Sequence, residues 1–147
     1  MDLRELYQEY VLDHGRNPRN FAFPEGSTHE AEGYNPLCGD KLAIKLVLDG
    51  DVIRDIGFQG QGCAISTASA STMTEAVKGK TLAEAKAYFE GFLAMVRGEG
   101  DLSGDAPEEL AIFGGVAQYP MRVKCATLAW HTLTAALEKS GTKVSTE

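Results

Sequence analysis

The chain has little with which to cross-link itself or enter a membrane. Only three of its 147 residues are cysteine, and an odd count argues against a secreted disulfide framework. No apolar run approaches the roughly 18 residues of a membrane span. Cations are outnumbered: 14 Lys and Arg against 21 Asp and Glu leave a net charge of −7. Phosphate binding needs clustered cations, so nucleic acid is excluded as the main partner. The opening Met1-Asp2-Leu3-Arg4-Glu5 lacks the basic segment and apolar core of a secretory signal. These absences fit a reducing cytoplasm, where thiols stay available for metal or sulfur chemistry.

Hydrophobic residues at 44% suffice for one core at this length. No repeat, low-complexity block or linker divides the chain, so one domain is expected over 1–140, followed by a polar, frayed tail over 141–147. Leu3, Leu6, Tyr7 and Tyr10 stand at helical spacing in residues 2–13. Turn-forming residues follow from His14 to Asn20, and loop composition runs on to Pro36. Leu42, Ile44, Leu46 and Leu48 then alternate as a half-buried strand does. Asp49-Gly50 turns the chain into a second strand over Val52–Phe58.

Helical periodicity returns at Ala64 and ends at Gly79, its first turns crowded with small residues from Ser66 to Ser71. Thr81 and Glu84 form a capping-box signature for the next helix, whose apolar stripe is Leu82, Ala85, Phe89, Phe92, Leu93 and Val96. A short helix is expected from Asp105-Pro107-Glu108 to Gly114-Gly115, and a last one over 126–139. The fold class read from this order is α+β: a small antiparallel sheet with helices packed on one face.

The three cysteines carry the chemistry. They occur as Cys38-Gly39-Asp40, Gly62-Cys63 and Lys124-Cys125. Three soft sulfurs and one hard carboxylate make a four-ligand set suited to zinc or iron. The spacings are unlike a zinc finger, so the fold must bring the ligands together. A hairpin does this for Cys38 and Cys63, which flank its two strands. Cys63 and Cys125 fall at expected helix N-termini, where the dipole and free amides favour a thiolate. Arg122 and Lys124 add positive charge beside the second. Gly39, Gly60 and Gly62 are expected to keep the neighbourhood open. The competing reading is that of small buried hydrophobes. The histidines read as surface or turn groups: His14 in the opening turn, His29 in a loop and His131 on the polar face of the last helix.

At these residues the sequence resembles the U-type iron–sulfur assembly proteins, and within them the zinc-dependent SufU branch. The matching segments are Asn35-Pro36-Leu37-Cys38-Gly39-Asp40, Gly60-Gln61-Gly62-Cys63-Ala64-Ile65-Ser66 and Arg122-Val123-Lys124-Cys125-Ala126-Thr127-Leu128, with Asp13 to Asn20 as the opening turn. In the general scaffold proteins of the family a histidine precedes the third cysteine, where this chain has Lys124. The segment between Cys63 and Cys125 is also longer here, by about one short helix within 99–119. Both departures resemble the SufU branch.

The resemblance implies a sulfur acceptor for a SufS-like cysteine desulfurase, serving downstream iron–sulfur assembly proteins. Cys38, Asp40, Cys63 and Cys125 would hold zinc, with Cys38, Cys125 and Arg122 as the reacting groups. The alternative is a scaffold carrying iron or a [2Fe–2S] cluster at the same cysteines. A zinc that only holds the fold is the third reading.

Overall fold

Alternation along one strand fixes the inner face of the sheet. In the computed structural model, which describes residues 3–102, 104–138 and 142–145, β2 spans Asp40–Asp49. Its inward residues Asp40, Leu42, Ile44 and Leu46 are all buried. β3 (Val52–Gln61) returns antiparallel, placing Phe58 beside Ile44 and Ile56 beside Leu46. The turn between them uses Gly50 at φ 63°, a left-handed conformation glycine adopts without penalty.

A strand stands where the sequence reads as loop. β1 (His29–Asn35) pairs antiparallel with β2, matching Ala31 to Ile44, Gly33 to Leu42 and Asn35 to Asp40. Its inward positions are Ala31, Gly33 and Asn35, so the alternation is one of small and polar residues and is invisible to hydropathy. The second correction concerns the tail. Thr142–Ser145 forms β4, parallel to β1, in place of a frayed end; residues 139–141 and 146–147 lie outside the described residues. The sheet order is β3-β2-β1-β4.

Among the described residues, four α-helices and one 3-10 helix accompany the sheet: α1 (Leu3–Arg16), α2 (Ala64–Val77), α3 (Leu82–Val96), the 3-10 helix Glu108–Gln118 and α4 (Pro120–Glu138). α4 lies against β1 and β2, and α2 against β3. The other face of the sheet is polar: Lys45 pairs with Glu30 at 3.4 Å and caps the Phe23 ring at 4.7 Å. The expected α+β class, with helices on one face, is the observed one. α3 begins with the predicted capping box, the Thr81 hydroxyl accepting from the Glu84 amide and the Glu84 carboxylate accepting from the Thr81 amide. Between the helices, Phe92 stacks on Trp130 at 5.1 Å and meets Phe113 edge-on at 5.8 Å. Burial of these rings supplies a large share of the core's stability.

α4 starts earlier than its apolar pattern indicates. Pro120 occupies the first helical position, where its missing N–H costs nothing. α4 also packs closely on β1: a Cβ on Gly33 would meet Thr132 Oγ1 at 2.0 Å. That close approach sets the separation of the strand carrying Asn35 from the helix carrying Cys125.

Candidate metal centre

The β1–β2 hairpin supplies the first half of the site. Its turn, Pro36-Leu37-Cys38-Gly39, is closed by the Cys38 amide donating to the Asn35 carbonyl at 3.3 Å. Gly39 takes φ 71°, with nothing near its missing Cβ. The turn swings Cys38 back over the hairpin end while Asp40 points inward on β2, buried. At the far end of β3 the chain crosses beneath Asp40. The Cys63 amide donates to Asp40 Oδ1 at 2.7 Å, and the Cys63 sulfur lies 3.9 Å from Asp40 Oδ2. A Cβ on Gly62 would stand 2.5 Å from Asp40 Oδ1, and one on Gly60 2.2 Å from the Lys41 carbonyl. These two glycines permit close approach; the openness expected of them holds only for Gly39.

α4 brings the third sulfur. Cys125 Sγ lies 3.3 Å from Cys38 Sγ, and the ligand atoms of Cys38, Asp40 and Cys125 all fall within 4.8 Å of one another. Cys63 is outside that closest trio and joins it through Asp40. Asn35 Nδ2 reaches both Asp40 Oδ2, at 3.3 Å, and Cys125 Sγ, at 3.7 Å.

The cysteines differ electrostatically. Cys63 caps α2, its sulfur accepting from the Ser66 amide at 3.4 Å. The influence of the Cys125 thiol and the amides of Ser66 and Ile65 outweigh burial and lower its pKa to about 7. Cys125 was expected at a helix start with a lowered pKa. It is instead the sixth residue of α4, past the first turn, where the dipole is weak. The neighbouring Cys63, burial and Cys38 push its pKa up. Arg122 lies in the first turn of α4, exposed, its guanidinium 4.5 Å from the Tyr119 ring. It lines an open cavity of about 530 Å³ with Leu6, Tyr7, Gln118 and Tyr119.

Two residues escaped the sequence reading. The Tyr7 hydroxyl is buried without a hydrogen-bond partner among the described residues. Burial raises its pKa, and the charges of Arg122, Cys63 and Cys125 reach it. His14 is buried within α1, stacked on Tyr10 at 4.1 Å, with Nδ1 2.8 Å from Ser71 Oγ. The only signal for His14 was its spacing of four from Tyr10 on a helix that runs three residues further than expected. His29 lies in β1 beside Thr28. His131 is half-buried against Phe89, not on the surface.

Fold and site together define a small α+β domain with three thiols and a carboxylate gathered at one end of its sheet. Residues 6–146 match the NifU-like N terminal domain, and the chain belongs to that family, one of iron–sulfur cluster assembly. It is 41% identical over 139 residues to the zinc-dependent sulfurtransferase SufU of Bacillus subtilis (strain 168), covering 94% of this chain and 93% of that protein. It is also 41% identical over 138 residues to the iron–sulfur cluster assembly scaffold protein IscU of Streptococcus pyogenes serotype M1, covering 94% and 86%. The crystal structure of FiSufU from Fervidobacterium islandicum AW-1, described as an iron–sulfur cluster assembly scaffold protein for the SUF system, superposes with a TM-score of 0.82 at 36% identity, over 88% of this chain and 94% of that one. No helix among the described residues is long and apolar enough to cross a membrane.

The donor set fits zinc. Tetrahedral zinc with sulfurs at about 2.3 Å spaces its ligand atoms by about 3.8 Å. Cys38 and Cys125, 3.3 Å apart, approach that separation, and with Asp40 they keep their ligand atoms within 4.8 Å of one another; Cys63 stands outside this trio, 3.9 Å from Asp40. Asp40 Oδ1 is held by the Cys63 amide, which leaves Oδ2 on the side of the sulfurs.

Proposed function

We propose that this chain accepts sulfur from a SufS-like cysteine desulfurase and relays it to downstream iron–sulfur assembly proteins, in a reducing cytoplasm. Cys38, Asp40, Cys63 and Cys125 are the proposed zinc ligands. The observation that carries the reading is the convergence of Cys38, Asp40 and Cys125 within 4.8 Å, with Cys63 against Asp40. When bound, zinc keeps thiolates deprotonated near neutral pH and brings no redox chemistry of its own.

Cys38 is the proposed acceptor. It is partly exposed on a glycine-flanked turn, whereas Cys125 is buried. Its thiolate attacks the outer sulfur of the partner's cysteine persulfide. A new S–S bond forms to Cys38, the old one breaks, and the partner's cysteine departs as a thiolate. The sulfane sulfur remains on Cys38 with no net oxidation. Cys125, 3.3 Å away, is the next thiol able to receive it. Arg122, on the rim of the adjoining cavity, offers its charge to the anionic sulfur.

Scaffold assembly of an iron or [2Fe–2S] centre at the same cysteines is the second reading. The IscU relative's name favours it at equal identity; Lys124, where scaffolds carry histidine, opposes it. The two separate in the cysteine-dependent turnover of the cognate desulfurase under a thiol reductant. The relay reading expects stimulation by zinc-loaded protein alone. Inertness of that form, with cluster formation on metal-free protein supplied with iron and sulfide, favours the scaffold.

A further inference from the structure

Asn35 is wholly buried at the end of β1 and breaks a rule the rest of the site keeps. Its Oδ1 is buried without a partner among the described residues, and an unpaired buried acceptor is costly. Turning the amide over would not help, because Oδ1 would then face the Asp40 carboxylate, 3.3 Å away, and meet like charge. The amide is thus held in the orientation that gives its N–H groups to the site. One points to Asp40 Oδ2 and the other to Cys125 Sγ. A local violation that serves a neighbouring constellation marks a functional requirement.

The backbone fixes Asn35 as firmly as its side chain. Pro36 confines the residue before it to extended conformations. Asn35 pairs across the hairpin with Asp40 itself. Two residues earlier on the same face, Gly33 is pressed onto Leu128 and Thr132 of α4, so Asn35 meets the same helix one turn nearer its start, at Cys125. Asn35 therefore joins a strand ligand to a helix ligand. The remaining sulfurs lack this tie. Cys63 takes its N–H from Ser66, and Cys38 receives no N–H to sulfur among the described residues.

We propose that Asn35 is a positioning residue for the metal centre. Its side-chain amide clamps Asp40 to Cys125, making them the fixed pair of the ligand set and leaving Cys38 as the ligand free to exchange. This rests on the zinc-binding reading above. Outer-sphere partners of this kind are worth about 10–100-fold in metal affinity.

Asn35→Leu tests the clamp with nearly the same side-chain volume, and Asn35→Ala tests it by truncation. Zinc affinity is read by competition with a chromophoric chelator, and the thermal midpoint of each metal-free protein is read alongside. The expected result is a 10–100-fold loss of zinc affinity in both variants. Metal-free Asn35→Leu should melt no lower than the parent, since it also removes the unpaired Oδ1. A purely structural asparagine would move the two readouts together. Zinc affinity within threefold of the parent in Asn35→Leu overturns the clamp and leaves the ligand set standing. Unchanged affinity in Asp40→Ala overturns the ligand set, and the clamp with it.

Discussion

β2 shows two kinds of protein interior on one face of one strand. At one end Ile44 and Leu46 sit among Ile56, Phe58 and Met73, all apolar and fully buried. At the other end the same face presents Asp40, backed by Asn35 and undercut by Gly62. The first end is closed by packing. The second is held by hydrogen bonds to a carboxylate and is lined by thiols. Stability and chemistry thus occupy opposite ends of a sheet about ten residues long, and substitutions at the two ends should have separable consequences.

Phe92→Ala, in the aromatic stack with Trp130 and Phe113, should give the largest effect. A loss of about 3–5 kcal/mol in unfolding free energy is expected, with zinc affinity of the folded fraction nearly unchanged. Denaturant titration and chelator competition on the same sample measure both. A parallel collapse of zinc affinity would show that the two ends are coupled.

Gly62→Ala inverts the pattern. The added methyl must displace the Asp40 carboxylate, whose Oδ1 lies 2.5 Å from its position. About tenfold weaker zinc binding is expected, with a small change in the melting of the metal-free protein. A calorimetric titration with zinc decides this, and undiminished affinity would remove Asp40 from the ligand set.

The smallest effect concerns pH. Burial holds the His14 pKa below its usual value. Between that lowered value and about 6.5 the unfolded chain binds more protons than the folded one. Stability should therefore fall as pH drops through this window. His14→Gln should flatten the slope, leaving a residue from His131, whose pKa burial lowers too. An unchanged slope in thermal melts between pH 7 and 5 would place the proton elsewhere.

The apolar end was readable in the sequence because its inward residues are large. Leu42, Ile44 and Leu46 alternate, and Asp49-Gly50 marks the turn. β1 was not readable, since its inward residues Ala31, Gly33 and Asn35 are small or polar where α4 lies close. The candidate ligand types, three thiols and a carboxylate, stood in the sequence beside glycines and cations. The cysteine environments were not: Pro120 starts α4 early enough to carry Cys125 into the helix interior, and Cys63 alone keeps the helix-capping position. Asn35 opened a matching segment within a stretch of loop composition and was given no role, and only its burial and its two hydrogen-bond partners distinguish it.

The central claim is that sulfur arrives at Cys38 at the polar end of the hairpin. Mass spectrometry of the zinc-loaded protein after brief reaction with the desulfurase and cysteine, with persulfides trapped by alkylation, tests it most directly. A mass increase of one sulfur on the peptide carrying Cys38, absent in Cys38→Ala, is the expected result. A persulfide that forms undiminished in Cys38→Ala would contradict the account.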